Sequence, residues 1–474
     1  MNHIKLTLVT LLLFILSATS YGQAFSRQVT PYIAIQDTVV ALTNITLIDG
    51  TGNPVKYQQD ILLNNHKIAA IGKTGTIEFP KNTTIIDGSG KTVIPGFVML
   101  HEHLFYAKPH NGNYKGVHMT NTFPQMYLAG GVTTMRTAGS FEASADLNIK
   151  NLINQGKMVG PAMDVSTPHV ERLGFIPQLQ SLYGDENIEN WLHYWFDKGI
   201  TSVKVYNNIT KEDLKKIIEV SHARNIKVTG HLCSITYEEA ANLGIDNLEH
   251  SFMAATDFVA DKQENACVRG ERSLNVLADD DPKLLALMQL LIDKNVTLTY
   301  TPTVFEPYTN REVIIGGGHV ALAPYLLAQQ QAIYDRSIHT KRDSLSLLSF
   351  QKEMRRVLKF HAMGGNIVVG TDPTGSGKTI AGYANQRLIE LLIETGFSIE
   401  ESIKLATLNG ANYLEIADTT GTITVGKNAD LILMNGDLSK DIRSIRNMEI
   451  VFKNGVGFDS KKIFEAVKGK VGAY

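Results

Sequence analysis

The sequence predicts an α/β fold, a (β/α)8 TIM barrel with a composite β-sandwich built from both chain ends. Three observations predict it. From Val93 onward, short apolar strands alternate with helical stretches, the rhythm of parallel βα units. Eight such strands can be placed. Short alternating strands with turn signals lie both before and after that run.

Taken in order, the first residues read as an export signal. Lys5 supplies the charge, Leu6 to Leu16 the apolar core, and Ser20-Tyr21-Gly22 small residues for cleavage. The apolar run is too short to span a bilayer comfortably. Residues 1–22 are expected to be removed, leaving a periplasmic or secreted chain with no stable membrane span. Residues 23–92 form the first part of the sandwich. Asn44-Ile45-Thr46-Leu47 alternates, Lys67-Ile68-Ala69-Ala70-Ile71-Gly72 is a strand, and Asp49-Gly50 and Asp87-Gly88 are turns.

The barrel is expected over residues 93–417, with strands at 93–100, 132–136, 162–166, 200–206, 226–230, 245–249, 296–301 and 366–371. Thr210 with Asp213 reads as a capping box before Leu214, Ile217 and Ile218, and Ser398 with Glu401 does the same before Ile403. The connections 251–295 and 302–365 have the length of functional lids. The first carries Asp279-Asp280-Asp281, a solvated surface, and the second carries Gly316-Gly317-Gly318, a hinge or turn. Residues 418–474 return to a β pattern, as in Asp430-Leu431-Ile432-Leu433-Met434, and complete the sandwich.

The charge balance is near neutral, 45 basic against 47 acidic residues, which argues against nucleic acid as a partner. Cys233 and Cys267 are the only cysteines. An oxidising compartment permits their pairing, but their separation in space cannot be read from sequence.

Chemistry concentrates at the strand ends, where barrels of this kind place active sites. His101 and His103 close the first strand and, two residues apart, face one side. Lys204 sits inside the fourth strand, His231 and His250 end the fifth and sixth, and Asp372 ends the eighth. Singly, each has an ordinary explanation. A rim histidine can bond to backbone, and Asp372 before Pro373 can serve a turn. Lys204 between Val203 and Val205 either snorkels outward, is paired inside, or is chemically altered. Six metal-competent groups on five strand ends point together to a metal site.

This set resembles the amidohydrolase superfamily of metal-dependent hydrolases. The resemblance runs from about residue 40 to about residue 460. It includes Pro95-Gly96, Val203-Lys204-Val205-Tyr206, Gly230-His231, Leu248-Glu249-His250 and Gly370-Thr371-Asp372. The tail, Leu405-Ala406-Thr407-Leu408-Asn409-Gly410-Ala411 and Gly426-Lys427-Asn428-Ala429-Asp430, is similar to the imidazolonepropionase-related branch. The strand lysine is similar to that of Xaa-Pro dipeptidase-like members and ochratoxin-type amidases.

The resemblance implies two divalent ions, usually zinc, with manganese or cobalt also suited to such ligands. It implies that His101, His103 and Asp372 hold the more buried ion, that His231 and His250 hold the other, and that a carboxylated Lys204 bridges them. Asp372 then acts as general base and acid, and Tyr206 bonds the substrate carbonyl. The implied activity is hydrolysis of a C–N bond in a small molecule such as a dipeptide or N-acyl amino acid. Relatives are frequently homo-oligomers.

Two departures bear on the substrate. Thr137 follows Arg136 where relatives commonly have an acid, and Ser166-Thr167-Pro168-His169-Val170-Glu171-Arg172 replaces a Gly- and His-rich loop. Arg136, His169 and Arg172 are substrate-contact candidates, although a surface role suits the His169 loop better. Asp372-Pro373-Thr374-Gly375-Ser376-Gly377-Lys378-Thr379 imitates a phosphate-binding loop, but the motif needs Gly where Asp372 stands, and an acid there repels phosphate. Rival readings are a lactonase or deaminase on the same site, or a binding protein without catalysis.

Overall fold

The computed structural model describes residues 24–172, 182, 187–338, 342–374 and 376–473. The expected export signal lies outside the described residues. The N-terminal stretch forms β1 (Ile33–Ile35), β2 (Val39–Leu47), β3 (Lys56–Asn64), β4 (Lys67–Lys73), β5 (Thr84–Asp87) and β6 (Lys91–Pro95). At Gly96 the chain changes sheet and enters β7 (Phe97–Glu102). A Cβ on Gly96 would lie 2.3 Å from the Thr133 side chain, so only glycine lets the two segments pass. The strand expected over 93–100 is therefore two strands in different sheets. Its unbroken apolar run hides the crossing, because both halves are buried.

A hairpin absent from the sequence reading follows, β8 (Phe105–His110) and β9 (Asn113–His118). Its signal was present. Asn111-Gly112 takes positive φ at both residues, 48° and 76°, as a two-residue hairpin turn requires.

The other parallel strands are β10 (Val132–Thr137), β11 (Ala162–Asp164), β12 (Ser202–Val205), β13 (Lys227–Gly230), β14 (Asn247–Glu249), β15 (Thr297–Tyr300) and β16 (Ile367–Val369). Each overlaps its expected range. They form two parallel sheets, ordered β11-β10-β7 and β12-β13-β14-β15-β16. A parallel bridge between Ser166 and Ser202 connects one pair of edges. At the other pair, the Thr371 and Asp372 N–H groups donate to the His101 carbonyl at 3.1 and 2.9 Å. β12, β14, β15 and β16 are buried at every residue, as strands covered on both faces should be.

The chain end returns as β17 (Leu431–Asn435), β18 (Met448–Lys453) and β19 (Val456–Asp459). These join the N-terminal strands in one nine-stranded sheet, ordered β1-β19-β18-β17-β6-β2-β3-β4 with β5 on β2. β17 runs antiparallel to β6, with Leu431 opposite Pro95 and Asn435 opposite Lys91. Val40, Leu42, Ile61, Leu431, Leu433 and Phe452 build a core of its own for that sheet.

Thr210 and Asp213 make the expected capping box on the helix Lys211–His222, and Ser398 caps the helix Ile399–Ala406 through the Glu401 N–H. The two long connections contain helices, notably Pro282–Asp293 in the first and Pro324–Ser337 and Arg342–Ala362 in the second. Asp281 caps the helix Pro282–Asp293 by accepting from the Lys283 N–H. Gly316 and Gly317 take φ of 69° and 81° within a short helical turn. Cys233 and Cys267 form a disulfide that ties the loop after β13 to the connection after β14. Among the described residues, no helix is long and apolar enough to cross a membrane.

Candidate active site

Three histidines converge on one carboxylate. His101 Nε2 lies 3.6 Å from Asp372 Oδ2, His103 Nε2 lies 3.4 Å from Oδ1, and His250 Nε2 lies 3.8 Å from Oδ2. His231 joins through Nδ1, 3.0 Å from His250 Nε2. One ligand atom each from His101, His250 and Asp372 lies within 4.8 Å of the others.

The backbone brings these groups together at the strand ends. His101 is the penultimate residue of β7, and His103 lies just beyond its end. His250 and Ser251, just beyond β14, take φ of 66° and 51°, and Asp372 beyond β16 takes 47°. Non-glycine residues in this left-handed region concentrate at functional sites, where surrounding structure imposes the strain.

Hydrogen bonds fix which imidazole nitrogen faces Asp372. The carbonyl of Gly139 lies 3.1 Å from His103 Nδ1 and can only accept, so the proton sits on Nδ1 and Nε2 keeps its lone pair. Glu249 Oε2 does the same for His101 Nδ1 at 2.7 Å. The Thr301 hydroxyl lies 2.7 Å from His250 Nδ1. Burial pushes His101 down to about 4 and His250 down to about 3, so both imidazoles are neutral near pH 7, the form that binds metal. Burial also pushes His231 well below its usual value. Burial works against the Asp372 carboxylate, but the surrounding imidazoles outweigh it and hold it well below the usual range.

Lys204 points inside. Its ammonium is buried and lies 3.4 Å from Glu249 Oε1. Burial pushes its pKa down to about 8, with Glu249 opposing. Glu249 is the functional residue that the sequence reading left without a role. It accepts from His101, from Arg136 Nη2 at 2.9 Å and from the Thr229 hydroxyl at 2.5 Å. Its signal was an acid inside an apolar strand, the same argument that marked Lys204. Glu102, also unassigned, is buried beside the two β7 histidines and accepts from the Thr371 N–H and hydroxyl and from Asn385 Nδ2. Burial pushes it up to about 8, so it is protonated near pH 7.

Three expectations about substrate contacts change. Arg136 is buried below the cluster, donating to the Leu100 carbonyl at 2.9 Å and to Asn247 and Glu249. A guanidinium in apolar surroundings takes the nearest acid, so Arg136 supports Glu249 instead of facing substrate. Arg172 holds Asp213 through Nε and Nη2, at 2.6 and 2.7 Å. His169 is buried, not on the surface. Its ring stacks on His103 at 5.9 Å between centroids and meets Tyr206 edge-on at 4.9 Å. Gly139 makes room for it, since a Cβ there would lie 2.3 Å from His169 Nε2. Tyr206 also packs against His231 at 5.0 Å, and burial pushes its hydroxyl pKa up.

The imitation phosphate loop lacks the geometry of one. The next helix starts only at Tyr383, and the Thr379 hydroxyl donates to the Thr303 carbonyl at 3.0 Å. A cluster of neutral imidazole nitrogens around an ionised carboxylate suits a borderline divalent ion such as zinc.

Residues 92–464 match the sequence model of the Amidohydrolase family. An imidazolonepropionase of Picrophilus torridus is 23% identical over 423 residues, covering 87% of this chain and 95% of the relative. An adenine deaminase of Clostridium perfringens is 23% identical over 414 residues, covering 86% of this chain but only 57% of the relative. Among solved structures, a Xaa-Pro dipeptidase with bound methionine in the active site superposes with a TM-score of 0.65 at 19% identity, covering 89% of this chain and 100% of the other. Likeness at this level gives the fold, a TIM-barrel-like α/β architecture.

Proposed function

The chain belongs to the amidohydrolase family, and from that premise we propose that it is an exported, metal-dependent hydrolase of C–N bonds. The substrate class we assign is a dipeptide or N-acyl amino acid. The single observation that carries the reading is the convergence of His101, His103 and His250 Nε2 on the ionised Asp372.

The donor set suits a divalent ion, with one ligand atom each from His101, His250 and Asp372 already grouped, and we assign two ions to it, zinc for preference. His101, His103 and Asp372 would hold one, and His231 and His250 the other. Lys204 would bridge them as a carbamate formed with CO2. That step needs an uncharged amine, which a buried lysine supplies more readily than an exposed one. When bound, the ions lower the pKa of water and polarise a carbonyl. Asp372, ionised near pH 7, takes the proton of the attacking water and returns it to the leaving nitrogen. Tyr206 keeps its proton and donates a hydrogen bond to the substrate carbonyl oxygen. His169, between His103 and Tyr206, lines the same position.

In this reading the two parallel sheets close as a (β/α)8 barrel over residues 93–417. The shared sheet folds as a sandwich from residues 23–92 and 418–474. The Ser166–Ser202 bridge and the His101 carbonyl contacts support closure. The signal-like residues 1–22 and the Cys233–Cys267 disulfide support a periplasmic or secreted location.

The test is a substrate panel on the metal-loaded mature chain: Xaa-Pro and other dipeptides, N-acyl amino acids, lactones and adenine. Release of amine from the amides supports the assignment. Turnover of lactones or adenine alone overturns it.

A further inference from the structure

A cavity lies at the opposite end of the barrel strands from the histidine cluster. Phe25, the end of the helix Ala143–Asn154, the approach to β11 and the β18–β19 hairpin bound it. Gly160 and Ala162 stand where β11 begins, whereas His101 and His250 stand where their strands end. The cavity measures about 640 Å³, counting the space where it opens to solvent, which is the size of a small-molecule site. Asn154 and Asn454, both exposed, lie at its mouth. Ligand sites favour junctions of this kind, here between the shared sheet and the parallel strands.

One wall is apolar. Ile153 and Phe458 are buried, and the Phe25 ring meets Phe458 edge-on at 6.3 Å between centroids. Met158, half-buried, lines the same space. The neighbour of Phe25 holds it in place. The Ser26 N–H donates to the Gly156 carbonyl at 3.0 Å, and the Ser26 hydroxyl donates to the Lys157 carbonyl at 3.2 Å.

The other wall carries a cation. Lys453 Nζ donates to the Gly160 carbonyl at 2.9 Å, and both residues line the cavity. Close packing fixes Gly160, since a Cβ there would lie 2.6 Å from Ile153 Cδ1 and 2.9 Å from Pro124 Cβ. An ammonium has three donors, and this carbonyl takes one. Among the described residues no acid lies within ion-pair distance of Lys453. Asp430, the acid that acts on it at longer range, already accepts from the Asn454 N–H at 2.7 Å and the Thr420 hydroxyl at 3.0 Å. Burial pushes the ammonium down to about 8, with Asp430 opposing. An anion entering the cavity would meet that charge in low-dielectric surroundings, where the bond is strong.

We propose that this cavity binds a small organic carboxylate with an apolar body, its carboxylate on Lys453 and its body against Phe25, Met158 and Phe458. The site is separate from the histidine cluster and does not depend on the hydrolase reading. A single cation matches a single negative charge. A phosphate dianion would leave a charge unmatched against the apolar wall, and an uncharged ligand would leave the spare donors of Lys453 unused.

The experiment is calorimetric titration of the metal-loaded full chain with phenylbutyrate, phenylbutanol, acetate and inorganic phosphate. Phenylbutyrate is expected to bind about tenfold tighter than phenylbutanol, the size of one charge-assisted hydrogen bond, and tighter than acetate or phosphate. Lys453→Met should bring the acid to the affinity of the alcohol, and Lys453→Arg should retain the preference. Met158→Trp, which fills the cavity and leaves Lys453 in place, should remove this binding event for acid and alcohol alike, and it decides the matter if Lys453→Met does not fold. Carboxylate bound at the metal cluster persists in both variants, so the event that is lost reads the cavity. An acid that binds no better than its alcohol overturns the site, and so does phenylbutyrate binding that neither substitution weakens. Acetate or phosphate binding as tightly as phenylbutyrate shows that the apolar wall plays no part and overturns the ligand class.

Discussion

Glu249 holds His101, with its Oε2 2.7 Å from the imidazole Nδ1. The same carboxylate is the counter-charge of Arg136 and Lys204. Glu249→Gln should therefore act twice. It should weaken metal binding about 10- to 100-fold, the usual effect of losing a carboxylate behind a histidine ligand. It should also destabilise the metal-free fold, in which Lys204 carries no carbamate, by roughly 3–5 kcal/mol, because two cations stay buried without their acid. Metal titration and chemical denaturation of the same preparation read the two effects. Metal affinity equal to that of the native chain would refute the orienting role.

Lys204→Met separates a bridge from a structural ion pair. With bicarbonate present, the native chain should carry about two ions and the variant fewer, with turnover lost. Elemental analysis decides, and two ions per variant chain would sink the bridging assignment.

Burial lifts the Glu353 carboxyl to about 7, against Arg356. Glu353 accepts from the Phe252 N–H at 2.8 Å and so braces the turn that carries His250. The folded chain holds this proton more tightly than the unfolded chain does. Its contribution is full below about pH 4.5 and is lost as pH rises through about 7. Glu353→Gln should gain on the native chain by up to about 3 kcal/mol between pH 4.5 and pH 8. Denaturation midpoints at both pH values measure it, and an unchanged difference between the two chains would contradict the shift.

Opening the Cys233–Cys267 disulfide, whose ends are 34 positions apart in sequence, should cost about 3–4 kcal/mol. Cys233 follows His231 by two residues, so the paired Ser variant should also bind the second metal ion more weakly. If stability and metal content are both insensitive to reductant and to the substitution, the disulfide does not organise this loop.

The sequence made the metal candidates legible because each breaks a local rule at a strand end. A histidine after an apolar run or a lysine between valines needs a special partner. What it concealed depends on partners far along the chain. Arg136 and Glu249 are 113 residues apart, so neither reveals that it satisfies the other. His169 sits in a stretch of polar and loop-forming residues, and its burial comes from stacking on His103 and from the space left by Gly139. The eight parallel strands were readable from alternation with helices, whereas the crossing at Gly96 was not, because burial on both sides gives the same apolar letters.

The pairing of β6 with β17 has a consequence for how the chain is made. Leu431 opposes Pro95, a separation of 431 − 95 = 336 residues. During synthesis, one side of β6 stays an open edge until nearly the whole polypeptide has emerged, so the N-terminal sheet cannot be finished by a vectorial, front-to-back route. Its completion is a late, long-range step. A chain terminated prematurely before residue 431 exposes a ready template for intermolecular strand addition. The last-made strands therefore act as a clasp that distinguishes a finished molecule from a truncated one.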